Sequence, residues 1–165
     1  MRFPRPALYD PPVDFRLLLD NLGAEHGSGV DDDSVRLAEQ TLGRLPEDYR
    51  DFLRQVGWTT LRAQEVAGLG SDLPYRWLNV VDLTVQERLD GWLPEHLIAI
   101  HPDGGGNFAC LHGNEVLLWY HDGASDVRFD SFTSWLASLL TPRLGRPDLP
   151  PVGRGKASGA RSPRI

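Results

Sequence analysis

Three histidines and two aspartates in the second half of the chain could do chemistry. All five fall near the ends of short apolar segments, where a sheet with tight turns could bring several within reach of one metal ion. No compact ligand spacing accompanies them, and no Gly-x-Ser-x-Gly motif supplies the nucleophile of a hydrolase. We therefore predict no metal site, no catalytic residue and no cofactor. The five residues are His101, Asp103, His112, His121 and Asp122.

The glycine run Asp103-Gly104-Gly105-Gly106-Asn107 could instead offer backbone N–H groups to a phosphate. A phosphate loop of the dinucleotide or Walker type runs from a strand into a helix, whereas the segment from Phe108 predicts a second strand. Glycine and asparagine tolerate positive φ, so the run predicts a structural turn between two antiparallel strands. A loop that contacts a partner is the remaining alternative.

The composition predicts one globular domain. A length of 165 residues is sufficient for one sizeable core. The sequence has no run of 18 apolar residues, and its first residues lack the basic-then-apolar order of a signal peptide. We expect a cytoplasmic location and no membrane contact. The single cysteine, Cys110, lies in an apolar strand, so we expect a buried thiol and no disulfide.

Charge divides the chain unevenly. The segment 142–165 contains six basic side chains and one aspartate, so residues 1–141 carry a net charge of −11 while the whole chain carries −6. Proline, glycine and serine are frequent in 142–165 and no apolar periodicity continues there, which predicts a disordered basic tail. The acidic body would repel a nucleic-acid backbone and attract a basic protein surface.

Five segments have apolar residues at helical spacing or begin with a capping box, and most are bounded by residues that start or end helices. The predicted helices run from Pro12 to Gly23, from the cap Asp33 through Leu42, from Pro46 to Gly57, from Thr84 of a Thr-x-x-Glu box to Leu89, and from Asp130 or Ser131 to Pro142.

Between and after these helices, apolar segments and turn residues predict strands. The predicted strands are 65–69, 77–81, 97–101, 107–111, 115–121 and 126–130. Short turns connect the later strands, so they should run antiparallel as a meander. The expected class is α+β, with N-terminal helices, an antiparallel β-sheet meander and a C-terminal helix packed on the sheet. We divide the chain into an N-terminal helix and linker (1–30), the domain (31–141) and the tail (142–165).

The order of several motifs resembles the SUKH superfamily, which includes the yeast cell-wall assembly regulator of the Smi/Knr type and many bacterial immunity proteins. The motifs are Glu39, Leu45-Pro46-Glu47-Asp48-Tyr49, Phe52-Leu53, Gly57, Leu93-Pro94, Leu97-Ile98-Ala99-Ile100, Asp103-Gly104-Gly105-Gly106-Asn107, His121-Asp122-Gly123 and Ser131-Phe132. The resemblance covers residues 33–140. It implies an α+β domain that binds protein partners, in bacteria often a toxin and frequently a nuclease, without catalysis.

By position, the resemblance assigns framework roles to five residues, and none of these roles is catalytic. They are Glu39, Gly57, Asp103, Gly106 and Asn107. The chain departs from the family after the third predicted helix, where members commonly have an Asn-Gly-Gly-like turn. Here Val56 replaces the asparagine and Trp58 follows Gly57, so the shape of this loop is expected to differ.

Aromatic residues outside the helix stripes are the candidate contacts for a protein partner, because rigid aromatic side chains with acidic neighbours are typical of binding hot spots. Trp119 and Tyr120 must lie on opposite faces of their strand, so at least one should be in the core. The predicted partner-binding residues are Trp58, Tyr75, Trp77, Trp92, Tyr120, Asp122 and Asp126.

Taken together, the residues and the resemblance predict a non-enzymatic protein-binding domain. Its expected role is that of an immunity protein that covers a basic toxin. A regulatory scaffold domain with another partner is the first alternative, and a small metal-dependent enzyme is a distant one. Turnover or stoichiometric bound metal would favour the enzyme, and a toxin-like gene beside this one would favour immunity.

Overall fold

The computed structural model describes residues 12–141, so the predicted tail 142–165 lies outside the described residues. Within the described part, the helices are α1 (Phe15–Leu22), α2 (Asp32–Leu42), α3 (Glu47–Gln55), α4 (Val80–Leu89) and α5 (Phe132–Leu140). The strands are β1 (Glu25–His26), β2 (Thr59–Leu61), β3 (Gln64–Val66), β4 (Ile98–Pro102), β5 (Phe108–His112), β6 (Glu115–Tyr120) and β7 (Gly123–Phe129). Among these helices, none is long and apolar enough to cross a membrane.

The strands form two antiparallel sheets. Strands β4, β5, β6 and β7 are neighbours in sequence order, which confirms the predicted meander and the α+β class. Strands β1, β2 and β3 form a small second sheet. The backbone N–H of Ala67, just after β3, donates to the carbonyl of Ile100 in β4 at 2.8 Å. The two sheets are therefore hydrogen-bonded to each other beside β4.

A cluster of buried aromatic rings joins α1, α3 and α5. The ring of Phe132 in α5 lies 4.9 Å from Tyr49 and 5.1 Å from Phe52, both in α3, and 6.0 Å from Phe15 in α1. These four side chains are at most 1% exposed. Helix α1, which we assigned to the segment before the domain, therefore contributes to the same core as the domain itself. The C-terminal helix packs on the sheet, as predicted.

Helix α4 covers the other face of the sheet, and its start differs from the prediction. It begins at Val80, capped by the side chain of Asn79, rather than at a Thr84 capping box. Thr84 lies in mid-helix and is buried, and its hydroxyl accepts a hydrogen bond from the N–H of Ala99 at 3.1 Å. The Thr-x-x-Glu spacing was misleading because this threonine bonds to a strand instead of capping its own helix.

Two other local predictions were wrong. The segment 77–81, predicted as a strand, contains a short 3-10 helix (Arg76–Leu78) followed by the start of α4. The cap of α2 is Asp31, whose carboxylate accepts a hydrogen bond from the N–H of Ser34 at 2.8 Å, and not Asp33. Each of the three consecutive aspartates is a suitable N-cap residue, and the first of them, Asp31, is the cap in the structure.

The partly buried ion pair between Glu39 and Arg50 gives a prediction about stability. The Glu39 carboxylate accepts hydrogen bonds from the Arg50 Nε at 2.7 Å and from the Leu45 N–H at 2.9 Å, and both charged side chains are less than a fifth exposed. Replacing Glu39 by Gln is expected to lower the free energy of unfolding at pH 7 by about 1–2 kcal/mol. Urea unfolding of both proteins measures the difference.

This difference should depend on pH. Burial raises the pKa of Glu39, but the hydrogen bonds from Leu45 and Arg50 and the Arg50 charge outweigh it, so the pKa lies below its ordinary value of 4.5. A carboxyl with a lowered pKa stabilises the fold above its unfolded-state pKa, and this contribution is lost as pH falls through the folded-state value. The two proteins should therefore converge in stability below pH 4.5. A constant difference down to pH 2 would contradict this assignment.

Candidate functional site

The carboxylate of Asp103 organises the glycine turn between β4 and β5. Its Oδ1 accepts hydrogen bonds from the N–H groups of Gly105 and Asn107 at 2.7 and 3.1 Å, and its Oδ2 accepts one from the Asn107 side-chain amide at 2.8 Å. The Asp103 N–H donates to the Asn107 carbonyl at 3.0 Å. Gly104 and Gly106 have φ values of 81° and 87°, which favour glycine.

The Asp103 carboxylate occupies the position that a bound phosphate would need. Partial burial raises the pKa of Asp103, but the hydrogen bonds from Asn107 and Gly105 outweigh it and keep the pKa below its ordinary range. The carboxylate is therefore charged at neutral pH and already accepts the N–H groups of the turn. A phosphate would meet a fixed negative charge there, so this geometry argues against the phosphate-loop alternative.

The imidazole of His121 lies directly against the turn. Its Nε2 donates to the carbonyl of Gly105 at 3.0 Å. A Cβ atom at Gly106 would collide with this ring, whereas a Cβ atom at Gly104 would meet nothing within 4 Å. The two glycines thus have similar backbone angles but different surroundings.

Replacing Gly106 by Val is expected to destabilise the domain by about 1–3 kcal/mol, because a β-branched residue is strained at positive φ and also meets His121. Gly104→Val is the matched control, since it has the strain without the contact. Thermal unfolding should show a larger loss for Gly106→Val. An equal loss in the two variants would contradict the role of His121, and an unchanged Gly106→Val protein would contradict the positive φ.

An exposed tryptophan lies beside this turn. Trp92 follows α4, and its ring contacts His121 edge-to-face with centroids 5.5 Å apart. The indole N–H of Trp119 donates to the carbonyl of Trp92 at 2.8 Å. The hydrogen bond positions the Trp92 backbone and the His121 ring contacts one side of the indole, while Trp92 is 54% exposed. We name Trp92, Trp119, His121 and the turn Asp103–Asn107 the turn surface.

Acidic side chains lie near the turn surface along the chain. Asp122 directly follows His121, and Asp90 precedes Trp92 by two residues; both are exposed. The carbonyl of Glu87 accepts the N–H of Trp92 at 3.0 Å. Burial, and secondly the charge of Asp90, raise the pKa of the Glu87 side chain. The repulsion between Glu87 and Asp90, which is the smaller of these two causes, would be relieved by a cationic partner.

Asp126 lies in an irregular part of β7. Residues between Ala124, which pairs with Trp119, and Arg128, which pairs with Leu117, form a bulge in this edge strand. The hydroxyl of Ser125 accepts the N–H of Val127 at 3.1 Å within it. Bulges of this kind protect an edge strand from pairing with another chain, and Asp126 is exposed within this one.

The other predicted aromatic contacts have different positions. Tyr75 and Trp77 stack on each other with centroids 4.6 Å apart, and both are about half exposed. The Trp77 indole N–H donates to the Glu65 carboxylate at 3.3 Å. Tyr120 is 37% exposed, whereas the neighbouring Trp119 packs against buried side chains.

Trp58 was wrongly predicted as a partner contact. It is only 6% exposed, and its indole N–H donates to the Asp72 carboxylate at 3.0 Å. The preceding Gly57 has a φ of 83°, and a side chain there would collide with the Leu69 carbonyl. The departure from the family motif at this loop therefore buries a tryptophan instead of exposing it.

The histidines considered as metal ligands are in three different environments. His101 is buried and its Nδ1 donates to the Glu65 carbonyl at 2.6 Å, His112 lies against His96, and His121 contacts Trp92. Across residues 12–141, no three His, Cys, Asp or Glu side chains are arranged to hold a metal ion. Burial raises the pKa of the Cys110 thiol to about 12, which makes it a poor nucleophile.

The hairpin of β2 and β3 was not predicted from the sequence. Its two turn residues, Arg62 and Ala63, have positive φ values of 49° and 64°. Such turns are recognised in sequences by Asn-Gly or Asp-Gly. An Arg-Ala pair carries no such signal, so nothing in the sequence pointed to Arg62.

The comparisons with known proteins agree with this architecture. A sequence model of the family described as SMI1-KNR4 cell-wall matches residues 17–141, from α1 to the end of α5. No curated protein matches the chain. Nine chains of solved structures match it. One is the crystal structure of a protein from Pseudomonas syringae pv. tomato, with 22% identity and a TM-score of 0.57 over 69% of this chain and 83% of that chain. This similarity shows a shared fold.

Proposed function

The chain belongs to the SMI1-KNR4 family, also named SUKH, and from this premise we propose that it is a non-enzymatic domain that binds a basic protein through the turn surface. The observation that carries the proposal is Trp92. Its ring is half exposed and contacts the His121 ring edge-to-face, and its backbone carbonyl accepts a hydrogen bond from the Trp119 indole N–H. A large aromatic side chain that loses little conformational freedom on binding is the usual centre of a protein interface.

Charge favours a basic partner over a nucleic acid. Residues 1–141 carry a net charge of −11, and Asp90, Asp122 and Asp126 are exposed near the turn surface or in the adjoining strand. Electrostatic attraction of this kind increases the association rate, and well-packed aromatic anchors lower the dissociation rate. The partner should therefore present a cationic surface with a recess for the Trp92 indole.

The specific role proposed is that of a cytoplasmic bacterial immunity protein. It would bind a cognate toxin, such as a nuclease whose active site is basic, and cover that site without any catalytic step of its own. The family resemblance supports this role, and so does the acidic surface. A regulatory scaffold domain is the second candidate, because the matching family is described by its cell-wall members.

The test is to measure binding to the toxin-like domain encoded beside this gene and rescue of cells that express it. Replacing Asp122 and Asp126 by Lys should slow association about tenfold or more at low salt. The effect should shrink as salt increases, because exposed charges are screened beyond roughly 10 Å at 0.1 M. Stopped-flow binding across ionic strengths measures both.

A second double variant provides the matched control. Glu25 and Glu115 are exposed. Glu115 is the first residue of β6, whereas Tyr120 is the last residue of the same strand. Replacing both glutamates by Lys makes the same change in net charge away from the turn surface, so association should slow much less. An equal effect of the two double variants would contradict the proposed location. Absence of binding and rescue would contradict the immunity role and favour the scaffold.

A further inference from the structure

A groove of about 550 Å³ lies on the α5 side of the large sheet, next to the turn surface. It is bounded by the β2–β3 hairpin and the last turn of α5, and Leu118, Phe129 and Leu139 supply apolar lining. Its volume is within the range of about 300–1,000 Å³ that is typical of ligand sites. Its polar lining is what indicates the kind of ligand.

His101 supplies a hydrogen-bond acceptor to this groove. The side chain is only 8% exposed, and its Nδ1 lies 2.6 Å from the carbonyl oxygen of Glu65, so Nδ1 carries a proton. The ring packs against Trp135 with centroids 5.6 Å apart, which fixes its orientation. In the neutral imidazole Nε2 is then an acceptor, and no residue in 12–141 donates to it. Nε2 is not among the fully buried atoms without a partner, so it is reached by solvent, and a ligand in the groove could donate a hydrogen bond to it.

Arg62 supplies a cation at the same groove. Its side chain is exposed and forms no ion pair with any residue in the described range 12–141. Arg62 and Ala63 both have positive φ, a conformation that is unfavourable for residues other than glycine. Strained backbone of this kind is concentrated at functional sites. The hairpin therefore places an exposed guanidinium, with no ion-pair partner in residues 12–141, beside the groove.

We propose that the groove binds the C-terminal residue of a partner polypeptide, with an apolar side chain at that position. The terminal carboxylate pairs with the Arg62 guanidinium, and the amide N–H of the same residue donates to His101 Nε2. The apolar side chain contacts the lining around Phe129. This inference rests on the proposed function, because it takes the partner of this domain to be a protein.

The acidic Asp103 also lines the groove, and its charge would repel a carboxylate placed beside it. Both of its oxygens already accept hydrogen bonds from Gly105 and Asn107. Arg62 is the cation among the described lining residues, so the terminal carboxylate must pair with Arg62 and not lie beside Asp103. Asn107 and Asp103 belong to the turn surface as well. A partner bound at Trp92 could therefore reach the groove with a terminal segment across the same turn.

The test is a ¹H–¹⁵N NMR titration of the full chain with the peptide acetyl-Gly-Gly-Leu. We expect shifts at Tyr120, Phe129 and Leu139 and at the His101 Nε2 resonance. The same peptide with a C-terminal carboxamide should bind at least tenfold more weakly, and so should 4-methylpentanoate, which has the carboxylate and the apolar chain but no amide N–H. If the carboxamide peptide binds as tightly as acetyl-Gly-Gly-Leu, the carboxylate assignment is overturned. If 4-methylpentanoate binds as tightly as the peptide, the polypeptide assignment is overturned. If millimolar peptide causes no shift, the site itself is overturned.

Two glycine variants distinguish the effect of the Arg62 guanidinium on peptide binding from the effect of backbone strain in the turn. Arg62→Gly removes the cation and relieves the backbone strain, so its Tm should rise by about 2–4 °C while peptide affinity falls at least tenfold. Ala63→Gly relieves the same kind of strain and keeps the cation, so its affinity should be unchanged. Unchanged affinity in Arg62→Gly, or lost affinity in Ala63→Gly, would overturn the proposal. Because the probe is a free peptide, this result is independent of whether a toxin binds the turn surface.

Discussion

Replacing Phe132 by alanine is expected to lower the free energy of unfolding by about 3–5 kcal/mol, which is the cost of deleting a buried aromatic ring. The side chain is fully buried, and its ring lies within 6.0 Å of Tyr49, Phe52 and Phe15. The rings that surround it belong to α1 and α3, so the cavity would open where three helices meet. A loss of this size is a large fraction of the stability of an ordinary domain, about 5–15 kcal/mol.

Urea unfolding followed by tryptophan fluorescence measures this loss, since Trp135 lies 5.8 Å from the deleted ring. Leu37→Ala is the control, because Leu37 is 66% exposed on α2 and its loss should change stability by less than about 0.5 kcal/mol. A cost below about 1 kcal/mol for Phe132→Ala would contradict the packing of α5 against α1 and α3.

Most of the large elements could be predicted because local signals determine them. Helix α1 ends at Gly23, which has the expected left-handed conformation, and α5 is capped by Ser131 as predicted. The meander follows from apolar strands joined by short turns. These features depend on hydrophobic periodicity and on residues that start or end elements, which are properties of neighbouring positions in the sequence.

The elements that were missed depend on distant contacts. Strands β1 and β2 have two and three residues, too few for any periodicity to be visible. Helix α4 begins with the β-branched pair Val80-Val81, which favours a strand locally. Its helical state is stabilised by the Asn79 cap and by the bond between Thr84 and Ala99 in the sheet. The second of these is a tertiary contact that a local pattern does not contain.

The candidate site could be predicted only in part, because it depends on both local signals and distant contacts. The glycine run indicated a turn because its residues tolerate positive φ, but the exposure of an aromatic side chain depends on what the rest of the chain places over it. Trp58 is covered because Asp72 accepts its indole N–H, whereas Trp92 has its backbone bonded to Trp119 and its ring left half exposed. Both are tryptophans after a glycine, so the sequence alone did not distinguish them.

Replacing Trp92 by alanine is expected to weaken binding of the basic partner about 30-fold or more, which corresponds to about 2 kcal/mol and is the size of a hot-spot effect. The loss should be in the dissociation rate, because an indole that fills a recess acts after the two proteins have met. Stability should change little, since more than half of the side chain is already exposed in the free protein. Surface plasmon resonance gives both rate constants, and thermal unfolding checks the fold.

Trp77→Ala is the matched control, because Trp77 is also 54% exposed and also has an aromatic neighbour, Tyr75. If the turn surface is the interface, Trp77→Ala should change affinity less than about threefold. The reverse pattern, with a large effect at Trp77 and none at Trp92, would move the interface to the Tyr75–Trp77 pair. Charge reversal at Asp122 and Asp126 should slow association and leave dissociation nearly unchanged, so its effect should add to that of Trp92→Ala. An additive double variant would mean that attraction and anchoring are separate physical contributions of one surface.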